Sequence, residues 1–161
     1  MSIEAKFEKR LSILQVEESQ SFAPKFDDNG LIPVVTTDYK SGEVLMQGYL
    51  NSESFAMTLE LGEAVYYSRS RKQIWHKGKT SGLVQTIREI RIDDDQDCVW
   101  LKVDVYGGAS CHVGYRSCFY RSIPFGINLD KSKRIELKFE EKEKVFDPKK
   151  VYGDSPNPTK L

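Results

Sequence analysis

The segment LIPVVTTDYKSGEVLMQGYL (31–50) decides the predicted fold. Its first part, LIPVVTTDY (31–39), is rich in β-branched residues, which is typical of a strand. Lys40-Ser41-Gly42 then predicts a turn, and EVLMQGYL (43–50) returns as the partner strand. The segment therefore predicts a β-hairpin.

The chain on either side of this hairpin is also dominated by a period of two. Further strands are predicted over AVYYSRS (64–70), LVQTIREIRI (83–92), VWLKVDVY (99–106) and residues 118–125. One helix is predicted over residues 1–19, and another begins after an Asn51 cap and ends at Gly62. Residues 71–82 are predicted to form a loop around Trp75. The fold class is α+β, with mainly antiparallel strands, an N-terminal helix and one central helix.

The length of 161 residues suits one domain, which we assign to residues 1–125. Residues 126–161 are interpreted as a C-terminal extension. A strand pair is predicted within RIELKFEEKEKVF (134–146), and the Gly-, Pro- and Asn-containing end is expected to fray.

Composition excludes several function classes. Lys plus Arg and Asp plus Glu are each 24, and this balance argues against a general nucleic-acid binder. No apolar run is long enough for a membrane span, and the charged start MSIEAKFEKR lacks the apolar region of a secretory signal. The odd count of three cysteines argues against a disulfide framework. Together these features predict a cytoplasmic protein with reduced thiols.

A first candidate site is the acidic run DDDQDC (93–98). In an extended segment, Asp93, Asp95 and Asp97 would share one face, and their mutual repulsion would be offset by a hard cation such as Mg²⁺. The alternative is a solvated acidic turn between two strands.

A second candidate site is SCHVGYRSC (110–118). Cys111 and Cys118 could bind zinc through their thiolates, and Gly114 would help the chain to fold back between them. His112 could be a ligand, a general base or a hydrogen-bonded core residue. The alternative for the cysteines, including Cys98, is that they are small buried apolar residues.

A third candidate site is YYSRSRKQIWHKGKTSG (66–82). Cations, hydroxyls and glycines interleave here, which favours phosphate binding, and Trp75 offers a face for stacking a base. The alternative is a basic surface loop.

In combination, these motifs resemble the phosphoribosyl-AMP cyclohydrolase family of histidine biosynthesis. The resemblance covers residues 30–121, through GLIPVV, GEVLMQGYLN, YYSRSR, WHKGKTSG with Gln85, the aspartate run, CHVG and SCFYR. It implies a monofunctional enzyme, since the residues after Arg121 are too few for the phosphoribosyl-ATP pyrophosphatase domain that is fused to some members.

The resemblance implies a hydrolase that opens the adenine ring of 1-(5-phosphoribosyl)-AMP between N1 and C6. It implies zinc and Mg²⁺ as cofactors, and an intertwined homodimer with active sites at the subunit interface. Cys111 and Cys118 would bind zinc, Asp93, Asp95 and Asp97 would bind Mg²⁺, and His112 would transfer a proton. The implied substrate-binding residues are Ser68, Arg69, Ser70, Trp75, Lys77, Gly78, Thr80 and Ser81.

The sequence departs from the family pattern at the third zinc ligand. The family's cysteine between two aspartates is replaced here by Asp94, and Cys98 follows the run instead. Position favours Asp94 and thiolate chemistry favours Cys98. We predict Asp94, since Cys98 begins an apolar run. Two rival functions remain: a non-catalytic, zinc-stabilised nucleotide-binding module, and the same scaffold acting on another purine nucleotide.

Overall fold

The computed structural model describes residues 3–161 and confirms the α+β class with mainly antiparallel strands. Its strands are β1 (Leu31–Asp38), β2 (Val44–Asn51), β3 (Val65–Ser68), β4 (Gln73–His76), β5 (Gln85–Ile92), β6 (Val99–Val105), β7 (Arg121–Ser122) and β8 (Lys138–Phe139). Its α-helices are α1 (Ile13–Glu18), α2 (Ser52–Leu61) and α3 (Pro148–Tyr152), with 3-10 turns at Ile3–Lys6 and Gly126–Asn128.

The main sheet joins two hairpins in the strand order β2-β1-β6-β5. The predicted β1–β2 hairpin is confirmed, and β5 pairs with β6 in the same antiparallel way. A parallel pairing of β1 with β6, from Val34 opposite Val99 to Asp38 opposite Val103, connects them. These two central strands are rich in fully buried aliphatic residues: Ile32, Val34, Val99, Leu101 and Val103.

Helix α2 follows β2 directly and covers part of the core. The Asn51 side chain accepts a hydrogen bond from the Ser54 amide at 2.8 Å, and the Ser54 hydroxyl accepts one from the Asn51 amide at 2.9 Å. Gly62 ends the helix with a φ of 68°. Both predicted helix boundaries are confirmed, because the local capping chemistry suffices to define them.

A string of buried polar groups crosses the core. The Tyr66 hydroxyl lies 2.6 Å from the Thr36 hydroxyl and donates to Gln85 Oε1 at 2.5 Å. Gln85 Nε2 in turn donates to the Ser110 hydroxyl at 3.2 Å. These contacts connect β1, β3 and β5 to the segment that carries Cys111.

The predicted single helix over residues 1–19 was wrong. Helical structure is limited to the turn at Ile3–Lys6 and to α1, and residues 1–2 lie outside the described part of the chain. Ser12 and Gln15 form a capping box that begins a new helix at Ile13. Phe7 packs against Phe22 and Phe55, whereas Leu11 is 80% exposed and does not share that buried face.

Two further predictions need correction. Residues 71–82 are not all loop, because Gln73–His76 pairs with β3 along its whole length. The strand predicted over 118–125 shrinks to Arg121–Ser122 and pairs with Lys138–Phe139, so no pair forms within 134–146. Helix α3 was missed, although Asp147 as the cap and Pro148 at the first helical position signal its start.

Removing the Tyr66 hydroxyl should destabilise the fold. Tyr66→Phe leaves the buried Gln85 carbonyl oxygen without its donor, so the free energy of unfolding should fall by about 1–3 kcal/mol in a urea titration. Tyr67→Phe, at the adjacent and half-buried position, is the matched control and should unfold like the wild type. Equal stability of both variants would contradict a structural role for the string.

Candidate functional site

Residues 93–98, here named the aspartate turn, connect β5 to β6. The Asp93 amide donates to the Cys98 carbonyl at 3.1 Å, and Asp93 Oδ1 accepts from the amides of Asp97 and Cys98 at 2.9 and 3.1 Å. The segment is therefore a closed turn, and the expectation that it is extended was wrong.

The turn nevertheless brings Asp93, Asp95 and Asp97 together, and we name them the aspartate trio. Ligand oxygens of the three lie within 4.8 Å of one another. A hydrogen bond with Asp93, helped by burial and by Asp95, raises the pKa of Asp97 to about 6. Three converging carboxylates suit a hard divalent cation such as Mg²⁺. Asp94 is exposed and lies outside the trio.

Residues 110–118, here named the cysteine loop, bring two thiols together. The Gly114 amide donates to the Cys111 carbonyl at 3.0 Å, and the Cys118 amide donates to the Leu45 carbonyl at 2.7 Å. The Cys111 and Cys118 side chains share a hydrogen bond, which lowers the pKa of the Cys111 thiol and raises that of Cys118. Two adjacent sulfurs, one of them readily ionised, suit a soft metal such as zinc.

Lys77 lies beneath this pair rather than on the surface. Its side chain is 2% exposed, and Nζ donates to the Ser110 carbonyl at 2.6 Å. Burial lowers the pKa of Lys77, and the nearby cysteines oppose this shift. Its charge also lowers the pKa of Cys111. The position of Lys77 suits the role of a counter-ion for the thiolates at least as well as the phosphate-binding role that the sequence predicts.

His112 adjoins the cysteine pair and is half-buried. Its Nε2 atom is buried and has no hydrogen-bond partner within residues 3–161. Burial and the Lys77 charge lower the pKa of His112, while a hydrogen bond with Asn157 acts in the opposite direction. The lowered pKa favours the neutral imidazole, and a neutral ring can accept a proton.

The predicted substrate-binding residues divide between the two ends of the β3–β4 hairpin. We name the turn with Ser68, Arg69 and Ser70 the hairpin tip, and the segment after β4 with Lys77, Gly78, Thr80 and Ser81 the hairpin base. The Arg69 guanidinium lies 4.0 Å from the centre of the Tyr49 ring. Trp75 lies between the two ends and contacts the Tyr66 ring at a centroid distance of 5.6 Å.

The cysteine loop and the aspartate turn lie at opposite ends of the β5–β6 hairpin. Gln85, which contacts Ser110, is at the first paired position, and Ile92, next to Asp93, is at the last. Seven residue steps at about 3.3 Å separate these ends by roughly 23 Å. Within residues 3–161, neither Asp94 nor Cys98 converges with the cysteine pair. In residues 3–161, the aspartate trio is the one converging set of three metal-ligating side chains.

Sequence comparison adds a family to this geometry. A sequence model described as phosphoribosyl-AMP cyclohydrolase matches residues 46–120. A phosphoribosyl-AMP cyclohydrolase of Rhodopseudomonas palustris is 51% identical over 138 residues, which cover 86% of this chain and 90% of the relative. The chain belongs to the phosphoribosyl-AMP cyclohydrolase family. Proteins of the same name from Nitrobacter winogradskyi and Sinorhizobium medicae are each 49% identical, covering 86% and 87% of this chain and 92% and 90% of theirs.

Membership of the cyclohydrolase family confirms the resemblance inferred from the motifs and makes this chain an enzyme. The matched residues 46–120 contain the hairpin tip and base, the aspartate turn and the cysteine loop. Across residues 3–161, no helix has the length and apolarity that crossing a membrane requires.

Sequence reasoning missed two polar residues that support these sites. Gln96 lies buried inside the aspartate turn with a φ of 57°, and Arg10 donates to the Asp95 carbonyl at 2.7 Å. Neither has a local sequence signal, since both act through contacts with distant backbone.

The raised pKa of Asp97 predicts a pH-dependent stability in the absence of metal. The protonated Asp97 carboxyl makes its full contribution to the free energy of unfolding below pH 4. This contribution is lost as the pH rises through about 6. In a chelator, the melting temperature of Asp97→Asn relative to wild type should therefore rise between pH 4 and pH 7. Asp94→Asn, outside the trio, is the control for a general charge effect. If the melting temperature of Asp97→Asn relative to wild type stays constant with pH, the trio does not repel as the structure implies.

Proposed function

We propose that this cyclohydrolase opens the adenine ring of 1-(5-phosphoribosyl)-AMP between N1 and C6. Water adds its oxygen to C6 and one proton to the exocyclic nitrogen, the N1–C6 bond breaks, and N1 takes up the second proton, so that C6 becomes a carboxamide. The product is the phosphoribosylformimino-aminoimidazole carboxamide ribotide, formed in the third step of histidine biosynthesis. The observation that carries the proposal is the unpartnered, buried Nε2 atom of His112 beside a paired thiol site.

Zinc fits the donor set at Cys111 and Cys118, whose sulfurs are adjacent and of which one ionises readily. Bound zinc would supply a water that loses its proton near neutral pH. Neutral His112 can accept that proton at Nε2 and return it to N1 as the ring opens. Lys77 Nζ holds the Ser110 carbonyl next to the cysteine pair, and thiolates there favour its charged form.

The substrate has two phosphate groups, and the β3–β4 hairpin offers polar groups at two separate ends. Arg69 and Ser70 are exposed at the hairpin tip, and Thr80 is exposed at the hairpin base. This division supports binding of one phosphate at each end of the hairpin. Trp75 lies between the two ends, where it would contact the adenine ring. The aspartate trio is proposed to bind Mg²⁺, which adds positive charge for a phosphate.

A homodimer with shared sites would complete the zinc centre. Since neither Asp94 nor Cys98 converges with the cysteine pair of its own chain, a second copy is the proposed source of the third ligand. An apolar depression of about 350 Å³ lies on the open sheet face beside Cys98, lined by Val35, Val99 and Trp100 among others, and supports burial against that copy. The proposal includes a cytoplasmic location, where the free thiols would stay reduced.

Incubation of the purified protein with phosphoribosyl-AMP tests the activity directly. The ultraviolet absorbance should change as the ring opens, removal of zinc by a strong chelator should stop the change, and added zinc should restore it. Full turnover by protein shown to be metal-free would contradict the zinc mechanism. Binding without turnover would favour the non-catalytic module, and turnover of a different purine nucleotide alone would favour the second rival.

A mixing experiment tests the shared site and its third ligand. Asp94→Ala and Cys118→Ala should each lose zinc and turnover as homodimers, whereas Cys98→Ala should keep both. In co-refolded Asp94→Ala and Cys118→Ala, each heterodimer regains one intact site, so about a quarter of wild-type turnover should return.

Cys111→Ala mixed with Cys118→Ala is the matched control, since every heterodimer then carries two damaged cysteine pairs. It should stay inactive. Absence of recovery in the first mixture would place all ligands in one chain. Loss of zinc in Cys98→Ala but not in Asp94→Ala would identify Cys98 as the third ligand.

A further inference from the structure

The aspartate turn is held by a side chain that is not a carboxylate. Gln96 is 5% exposed, and its Nε2 atom donates to the carbonyls of Val16 and Ser21 at 2.8 and 3.0 Å. Its Oε1 atom accepts from the Ala23 amide at 2.9 Å. Both amide hydrogens and the amide oxygen of Gln96 are thus engaged by one N-terminal segment.

The same segment also contacts the backbone of the turn. The Lys25 amide donates to the Gln96 carbonyl at 2.7 Å. Arg10 Nη1 donates to the Ala23 carbonyl at 2.6 Å, and Nη2 donates to the Asp95 carbonyl at 2.7 Å. We name residues 10–25 the N-terminal brace, because they contact two successive carbonyls and one buried side chain of the turn.

The backbone conformation at Gln96 is one that its neighbours must support. Its φ of 57° lies in the left-handed region, which costs a non-glycine residue roughly 1 kcal/mol or more. This conformation turns the chain between Asp95 and Asp97, so that both carboxylates approach Asp93. Three close carboxylates repel one another, and this repulsion favours opening of the turn.

We propose that Gln96 is a positioning residue through which the N-terminal brace holds the aspartate trio in its cation-binding arrangement before the cation arrives. The inference rests on the proposed function, in which the trio binds Mg²⁺. The brace lies outside residues 46–120, which the family model matches, whereas Gln96 lies within them.

The test is calorimetric titration of the zinc-loaded, full-length protein with Mn²⁺ as a probe for the Mg²⁺ site. Gln96→Gly removes the side-chain contacts and also relieves the left-handed strain. Loss of positioning should weaken Mn²⁺ binding by about 10–100-fold, as for other supporting partners of metal ligands. If local backbone preference alone shaped the turn, Gln96→Gly would bind Mn²⁺ like the wild type, which would overturn the inference.

Turnover gives a second readout that general destabilisation would not produce. The Mg²⁺ concentration for half-maximal turnover of Gln96→Gly should rise by the same factor as the Mn²⁺ dissociation constant, while saturating Mg²⁺ restores kcat. A lower kcat that excess Mg²⁺ does not restore would show a merely structural role. If Gln96→Gly does not fold, Gln96→Asn, which tolerates the left-handed region but is one methylene too short, should show the same weakening.

Two further variants separate this inference from the proposed function. Gln20→Ala is the matched control and should bind Mn²⁺ normally, since Gln20 is exposed in the same segment and, within residues 3–161, its side chain makes no hydrogen bond to the turn. Asp95→Asn should lose Mn²⁺ binding. If Asp95→Asn binds as the wild type does, the trio is not the cation site, and the proposed function fails at that point.

Discussion

The parallel pairing of β1 with β6 is the constraint on which the rest of the structure depends. It joins two antiparallel hairpins into one sheet and buries the aliphatic residues of both central strands. Because β5 and β6 form one hairpin, this pairing also fixes where its two ends lie. The aspartate turn is at one end, and the cysteine loop, tied to Gln85 through Ser110, is at the other.

This separation keeps two chemically different ligand sets apart. The cysteine loop has adjacent sulfurs above the buried Lys77 side chain, whereas the aspartate turn has converging carboxylates. Sulfur donors favour zinc and carboxylate oxygens favour Mg²⁺. As a consequence, no third metal-ligating side chain within residues 3–161 of the same chain converges with the cysteine pair.

Segments outside the matched residues 46–120 contact both the aspartate turn and the cysteine loop. The N-terminal brace contacts the aspartate turn through Gln96. At the cysteine loop, the Val145 amide donates to the Gly114 carbonyl at 2.7 Å, and the Phe139 ring lies 6.4 Å from the Tyr115 ring, centre to centre. Gly114 has a φ of 107° and lies against the Phe146 carbonyl, so a side chain there would displace the C-terminal segment.

Much of the fold was predictable because its signals are local. Alternating patterns located β1, β2, β5 and β6, and the capping residues Asn51 and Gly62 defined α2. The motifs also identified the family and the cysteines and aspartates that converge. The N-terminal helix was not predictable from spacing, because burial of Phe7 and exposure of Leu11 depend on contacts with residues distant in sequence.

By itself, the sequence determined the family and the candidate site residues, since both depend on the residue types and spacings of short local motifs. Only the tertiary structure decided how these residues meet. The aspartate trio converges through a turn held by distant backbone, and Lys77 is buried by a loop 33 residues further on. The distance between the two ligand sets follows from the sheet. Such arrangements arise from long-range pairing and packing, which leave no periodic signal in the sequence.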